Sequence, residues 1–105
     1  MFDLTVLIPV SDNDGIAFTD NDHAAFEKFV VDRFGGLTLL PSTATGVWTD
    51  AGTTYRDRTR VYLIAVRSLI EGTKIGDIVA FARTHYRQEA IFIRYLGVSE
   101  IVSAA

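Results

Sequence analysis

Gly46-Val47-Trp48-Thr49-Asp50-Ala51-Gly52-Thr53-Thr54-Tyr55-Arg56-Asp57-Arg58-Thr59-Arg60-Val61-Tyr62, in the middle of the chain, reads as two strands joined by a tight reversal. Asp50-Ala51-Gly52 supplies the turn, and β-branched and aromatic residues flank it. As a three-residue loop with Gly52 left-handed, the turn is a type I turn with a glycine bulge; Trp48 then faces Thr54, with Arg56 diagonally beside it. A two-residue loop instead sets Trp48 against Tyr55, on the face of Asp57, and turns Arg56 away. The Asp-x-Gly spacing favours the first register, which joins Trp48 to Arg56, Arg58 and Arg60 as one surface.

Outward from this hairpin the chain is nearly symmetric in kind. Phe2, Leu4, Val6, Ile8 and Val10 alternate with Asp3, Thr5, Leu7 and Pro9, the period of a strand with one buried face. Ser11-Asp12-Asn13-Asp14-Gly15 is a turn. Thr19 and Asp22 form a capping box for a helix over about 20–34, with Ala25, Phe26, Phe29, Val30, Arg33 and Phe34 at helical spacing; Gly35-Gly36 stops it. Leu37–Leu40 is a short strand broken by Pro41 that resumes from Gly46 to Asp50. The strand after the turn runs from about Thr53 to Arg67. Glu71-Gly72-Thr73 opens a second helix with Ile75, Ile78, Val79, Ala82 and Tyr86 on one face, and Ala90–Leu96 is a last strand closed by Gly97. Val98–Ala105 fits a short strand, a helix or a loose tail.

The order strand, helix, strand, strand, helix, strand predicts an α+β ferredoxin-like βαββαβ fold, a single domain over residues 1–105. Its four-stranded antiparallel sheet carries both helices on one face. The opposite face is then bare. With Phe2, Leu4, Val6, Ile8, Val61, Leu63, Ala65, Ile91 and Ile93 turned to the helices, that face holds Asp3, Thr5, Leu7, Arg56, Arg58, Arg60, Tyr62, Ile64, Val66, Phe92, Arg94 and Leu96. It is apolar enough to need cover, and a second copy packed sheet to sheet, as in dimeric α+β barrels, supplies it.

Composition narrows the classes. With 10 Lys and Arg against 13 Asp and Glu, the formal charge is −3, which disfavours nucleic acid and anionic membranes as partners. There is no cysteine, hence no disulfide or thiolate chemistry. The first residues do not make a signal peptide, no apolar run approaches a membrane span, and a cytoplasmic location is expected.

Leu7-Ile8-Pro9, Asp12-Asn13-Asp14-Gly15, Arg33-Phe34-Gly35-Gly36-Leu37-Thr38, Gly46-Val47-Trp48 and Gln88-Glu89-Ala90-Ile91 together resemble the motifs of an uncharacterised family of short bacterial proteins. The likeness spans most of the chain except residues 58–71 and those beyond Gly97. It implies the ferredoxin-like fold and carries no mechanism.

For chemistry, Arg56, Arg58 and Arg60 form a ladder suited to a carboxylate or phosphate, with Trp48 placed to stack on it and Tyr62 and Arg94 nearby as ligand-binding residues. The favoured reading of the same arginines is a solvated strand whose charges pair with Asp57, Asp50 or a symmetry mate. Asp57 with Tyr62, and Glu89 with Arg94, offer acids that would serve as general bases if buried, and structural ion pairing is the favoured reading of both. His23, in the polar first turn of its helix, and His85 have no metal-ligand spacing, and the acidic turn at Asp12 lacks the pattern of a calcium loop. No metal or cofactor is implied. Two functions follow: a homodimer whose sheet face binds a small acidic ligand or a protein partner, and, alternatively, a cofactor-free enzyme of the dimeric barrel type enclosing a small organic substrate near Trp48, Arg60, Tyr62 and Arg94.

Overall fold

A computed structural model describes residues 1–96 and 98–103, with side chains throughout except at positions 69, 70, 98–101 and 103. Nine elements follow in order: β1 (Phe2–Pro9), α1 (Asp20–Phe34), β2 (Thr38–Leu39), β3 (Ala44–Asp50), β4 (Thr53–Val66), α2 (Leu69–Gly72), α3 (Ile75–His85), β5 (Ala90–Tyr95) and β6 (Val98–Ser103). All the ladders are antiparallel, and the sheet runs β2-β4-β1-β5-β6, with β3 following β2 along the same side of β4. This is the ferredoxin-like arrangement. The sheet exceeds the expected four strands because Pro41 splits the second strand into β2 and β3, and because part of the tail pairs with β5 as β6. Gly97, expected to close β5, lies outside the described residues.

Helix α1 starts and stops where its residues dictate. Thr19 Oγ1 accepts from the Asp22 amide at 3.1 Å, and Asp22 Oδ2 accepts from the Thr19 amide at 2.9 Å, a complete capping box. Gly35, at φ 86°, turns the chain out of the helix while its N–H reaches Val31 O at 2.8 Å. His23, Phe26, Val30 and Phe34, three or four residues apart, make the buried stripe. The second helix is two pieces: Ser68 Oγ accepts from the Glu71 amide to cap the single turn of α2, and α3 then buries Ile78, Val79 and Ala82. The helices meet through the Phe29–Phe81 stack at 4.2 Å, with the Arg33 guanidinium 4.0 Å above the Phe29 ring and an Arg33–Asp77 ion pair at 3.6 Å.

The core lies between these helices and the sheet. Leu4, Val6 and Ile8 supply its floor from β1, and Ile91 and Ile93 from β5, as their alternation predicts. On β4 the parity is the reverse of the expected one. Tyr62, Ile64 and Val66 are fully buried against the helices, each opposite an inward residue of β1: Val6↔Tyr62, Leu4↔Ile64, Phe2↔Val66. Val61, Leu63 and Ala65 therefore belong to the open face with Thr5, Leu7 and Phe92. Residues 61–66 are apolar throughout, so alternation could not choose a face; pairing with β1 does.

Beyond the core, β3 and the first half of β4 project as a two-stranded arm. Its residues from Thr45 to Arg58 are all exposed, and the molecule measures 40 × 29 × 27 Å. The arm turns through Ala51 (φ 50°) and Gly52 (φ 83°), both left-handed, with Asp50 paired to Thr53. This is a two-residue type I′ turn.

Candidate functional site

The reversed parity of β4 brings the lower arginine of the ladder and Tyr62 to the helix side, where α1 supplies their partners. Arg60 Nη1 donates to the Tyr62 hydroxyl at 3.0 Å; that hydroxyl donates to Glu27 Oε2 at 2.7 Å, and Arg60 Nη1 also reaches Oε2 at 3.3 Å. Tyr62 is thus polarised from both ends, accepting from a cation and donating to a carboxylate. Burial, and then its bond to Glu27, push the Tyr62 pKa well above the usual tyrosine value, so it stays a phenol. The ion pair is not sealed: the side chains of Arg60 and Glu27 are 26% and 34% exposed. Both bonds to Glu27 fall on Oε2, and no donor among the described residues reaches Oε1.

One helical turn before Glu27, His23 lies against the same wall. It is buried, contrary to its expected place in a solvated first turn, because Phe18 and Tyr86 close over it from the preceding loop and the end of α3, with ring centroids 6.3 and 5.5 Å away. His23 Nδ1 and the Tyr86 hydroxyl are hydrogen-bonded at 2.8 Å. Burial raises the pKa of Tyr86 far above that of a free tyrosine, and burial together with the nearby Arg60 lowers that of His23. The bond therefore joins a protonated phenol to a neutral imidazole, its direction set by the imidazole tautomer. Phe26 joins the two tyrosines, its ring 5.2 Å from Tyr62 and 5.8 Å from Tyr86. His85 closes the layer, with Nε2 2.6 Å from the carbonyl oxygen of Asp22.

On the arm the expected stacking of Trp48 on an arginine is overturned. Trp48 pairs with Tyr55, their rings stacked at 4.6 Å, and its Nε1 donates to Asp57 Oδ2 at 2.7 Å. Arg56 lies opposite Val47, on the other face. The energies explain the register. An αL alanine costs about 1–2 kcal/mol, whereas an aromatic pair contributes about 0.5–1.5 kcal/mol and a hydrogen bond about 1 kcal/mol. The two-residue turn gains both.

Of the residues singled out in the sequence, Arg60 and Tyr62 meet in the half-buried cluster. Arg56 and Arg58 continue their face along the arm, Arg58 donating to Thr43 Oγ1 at 2.7 Å. Trp48 belongs to the opposite face. Arg94 is also on the open face, opposite Thr5, in a shallow cleft with Asp3 and Leu96. Glu27 was not anticipated, His23 was weighed only as a metal ligand, and Tyr86 was expected only as part of the second helix's apolar face. The available signal was the helical offset of four between His23 and Glu27, on the edge of the stripe that holds Phe26 and Val30. Among the described residues no three His, Asp or Glu side chains converge as a metal site, and no helix is long and apolar enough to cross a membrane.

No protein-family model and no curated protein matches the chain. Solved structures do. A phage SAM lyase in complex with S-methyl-5'-thioadenosine superposes with a TM-score of 0.75 at 15% identity, over 98% of this chain and 89% of that one. A phage SAM lyase in its apo state gives 0.70 at 16%, with the same coverage. The divalent cation tolerance protein CutA1 from Thermus thermophilus gives 0.56 at 12%, over 100% and 84%. At these identities the likeness establishes the ferredoxin-like fold that the element order predicts.

Proposed function

We propose that this protein is a homodimer that binds a small molecule carrying both an ammonium and a carboxylate, at the cluster of Glu27, Arg60 and Tyr62. The observation that carries this reading is an accessible carboxylate oxygen, Glu27 Oε1, that no donor among the described residues reaches, held beside a guanidinium that is itself partly exposed. An anion alone meets Arg60 already neutralised by Glu27. A ligand with a charge of each sign keeps both groups paired and adds bonds to each. Arg56 and Arg58, on the same face of β4, extend the positive side of the site toward an acidic portion of the ligand. The superposition on a SAM lyase supports the choice of probe, since SAM bears an amino-acid head of this kind.

Calorimetric titration with SAM, methionine and S-methyl-5'-thioadenosine tests the reading. SAM and methionine are expected to bind saturably, and S-methyl-5'-thioadenosine, which lacks the head, more weakly. Arg60→Met and Glu27→Gln should each weaken binding about tenfold or more, the scale of a charge-assisted hydrogen bond. Absence of saturable binding by either head-bearing compound at millimolar concentration overturns it.

A second reading, a cofactor-free enzyme, is favoured by the Arg60–Tyr62–Glu27 chain, in which a phenol proton is already directed at a carboxylate. Release of a thioether nucleoside from SAM by the wild type and not by Tyr62→Phe would select it.

A further inference from the structure

The Glu27–Arg60 pair is bordered by two exposed aliphatic side chains, one from each element that builds it. Val31 follows Glu27 by four residues on α1 and so lies on the same side of the helix. A helical side chain leans over the turn before its own, here the turn of Glu27, and Val31 is 43% exposed. On the sheet, Leu39 is the register partner of Tyr62, and partners across an antiparallel ladder share a face. Tyr62 points to the helices, so Leu39 does too. Leu39 is nevertheless 37% exposed, because β2 is the edge of the sheet. Lys28 and Asp32, the charges next to Glu27 and Val31 on α1, pair with each other at 2.7 Å. The ionic cluster thus has an apolar border toward β2, whereas toward the arm it continues as Arg58 and Arg56.

From this placement we infer that the ligand of the site is an aliphatic α-amino acid, its carboxylate on Arg60, its ammonium on Glu27 Oε1 and its side chain across Val31 and Leu39. The inference rests on the reading of Glu27 and Arg60 as the seat of an ammonium and a carboxylate, and adds what selects among such molecules. An α-amino acid carries its two charges on one carbon, which suits a carboxylate and a guanidinium only 3.3 Å apart. Its side chain then meets arginines on one side and aliphatic groups on the other. A hydrocarbon gains from lying on Val31 and Leu39, and an amide in the same place loses water without finding a hydrogen-bond partner there.

Titration of the full chain with alanine, 2-aminobutyrate, norvaline and norleucine, followed by nuclear magnetic resonance at the amides of Glu27 and Leu39, separates the charged head from the side chain. Affinity should rise about twofold with each methylene, the scale of a half-buried one, and so about eightfold from alanine to norleucine. Glutamine, of similar length, should bind no more tightly than alanine. In the double variant Val31→Thr/Leu39→Thr, which keeps the shape at position 31 and the strand preference at position 39, norleucine should fall to within about twofold of alanine. Leu39→Met should keep the rise along the series. Equal affinity for alanine and norleucine, glutamine binding as tightly as norleucine, or a rise that survives the double substitution overturns the side-chain assignment and leaves the head site standing. Saturable binding by none of the four amino acids at millimolar concentration overturns both.

Discussion

Protonating His23 in the folded chain would place a cation against Phe18 and Tyr86, with Arg60 near enough to oppose it. Its pKa is accordingly depressed by folding, and the consequence for stability has a definite sign. In the unfolded chain the imidazole takes up a proton as pH falls through about 6.5, while the folded chain does not. The unfolded state binds more protons there, so stability falls as pH falls below about 6.5 and levels only once pH passes the folded-state value. Urea midpoints taken from about pH 7.5 to about 5.5 should decline in the wild type and decline less in His23→Gln; parallel profiles would show that His23 titrates as it does in the unfolded chain. None of this was legible in the residue itself. Asp20, Asn21 and Asp22 before it mark a solvated first turn, and only the folding of Phe18 and Tyr86 over the ring converts it into a core residue.

At the scale of elements, the arm shows where local signals conflict. Asp50-Ala51-Gly52 supports two turns, and turn propensity favours the longer; the choice is made by contacts outside the turn, Trp48 on Tyr55 and Trp48 to Asp57. Ala51 is left in a conformation that asparagine or glycine adopts more readily. Ala51→Asn should stabilise the arm by about 0.5–1 kcal/mol. Amide exchange of Gly46, Trp48 and Tyr55 should slow by a factor of about two to five, and faster exchange would contradict the type I′ turn. The capping box, the Gly35 stop and both inward faces of β1 and β5 were legible because each is a local pattern with one solution. The face of β4 was not, since six consecutive apolar residues carry no alternation, and with it went the Glu27–Arg60–Tyr62 cluster, which depends on that parity.

For the whole molecule, the order of elements was enough to give the ferredoxin-like fold, and β6 escaped because its short, weakly patterned sequence fits strand, helix or tail alike. The corrected parity also changes how assembly is tested. Ile64 is in the core, so a charge there would unfold the chain, whereas Leu63 lies on the open face with Leu7, Val61 and Phe92. The homodimer reading predicts twice the chain mass in light scattering at micromolar concentration for the wild type, and a folded monomer for Leu63→Asp. A wild type of one chain mass refutes it.

The break between β2 and β3 has a bearing on the chain's survival at high concentration. Thr38 and Leu39 lie along one stretch of β4 and Ala44 to Asp50 along another, with Pro41, which has no amide proton, between them. The outer rim of the sheet on this side is therefore two short segments out of line with each other, and a foreign strand cannot zip along it without interruption. Replacing Pro41 alone would not mend the break, because the two segments stand two residues out of register along β4, so the protection of this rim survives a single substitution.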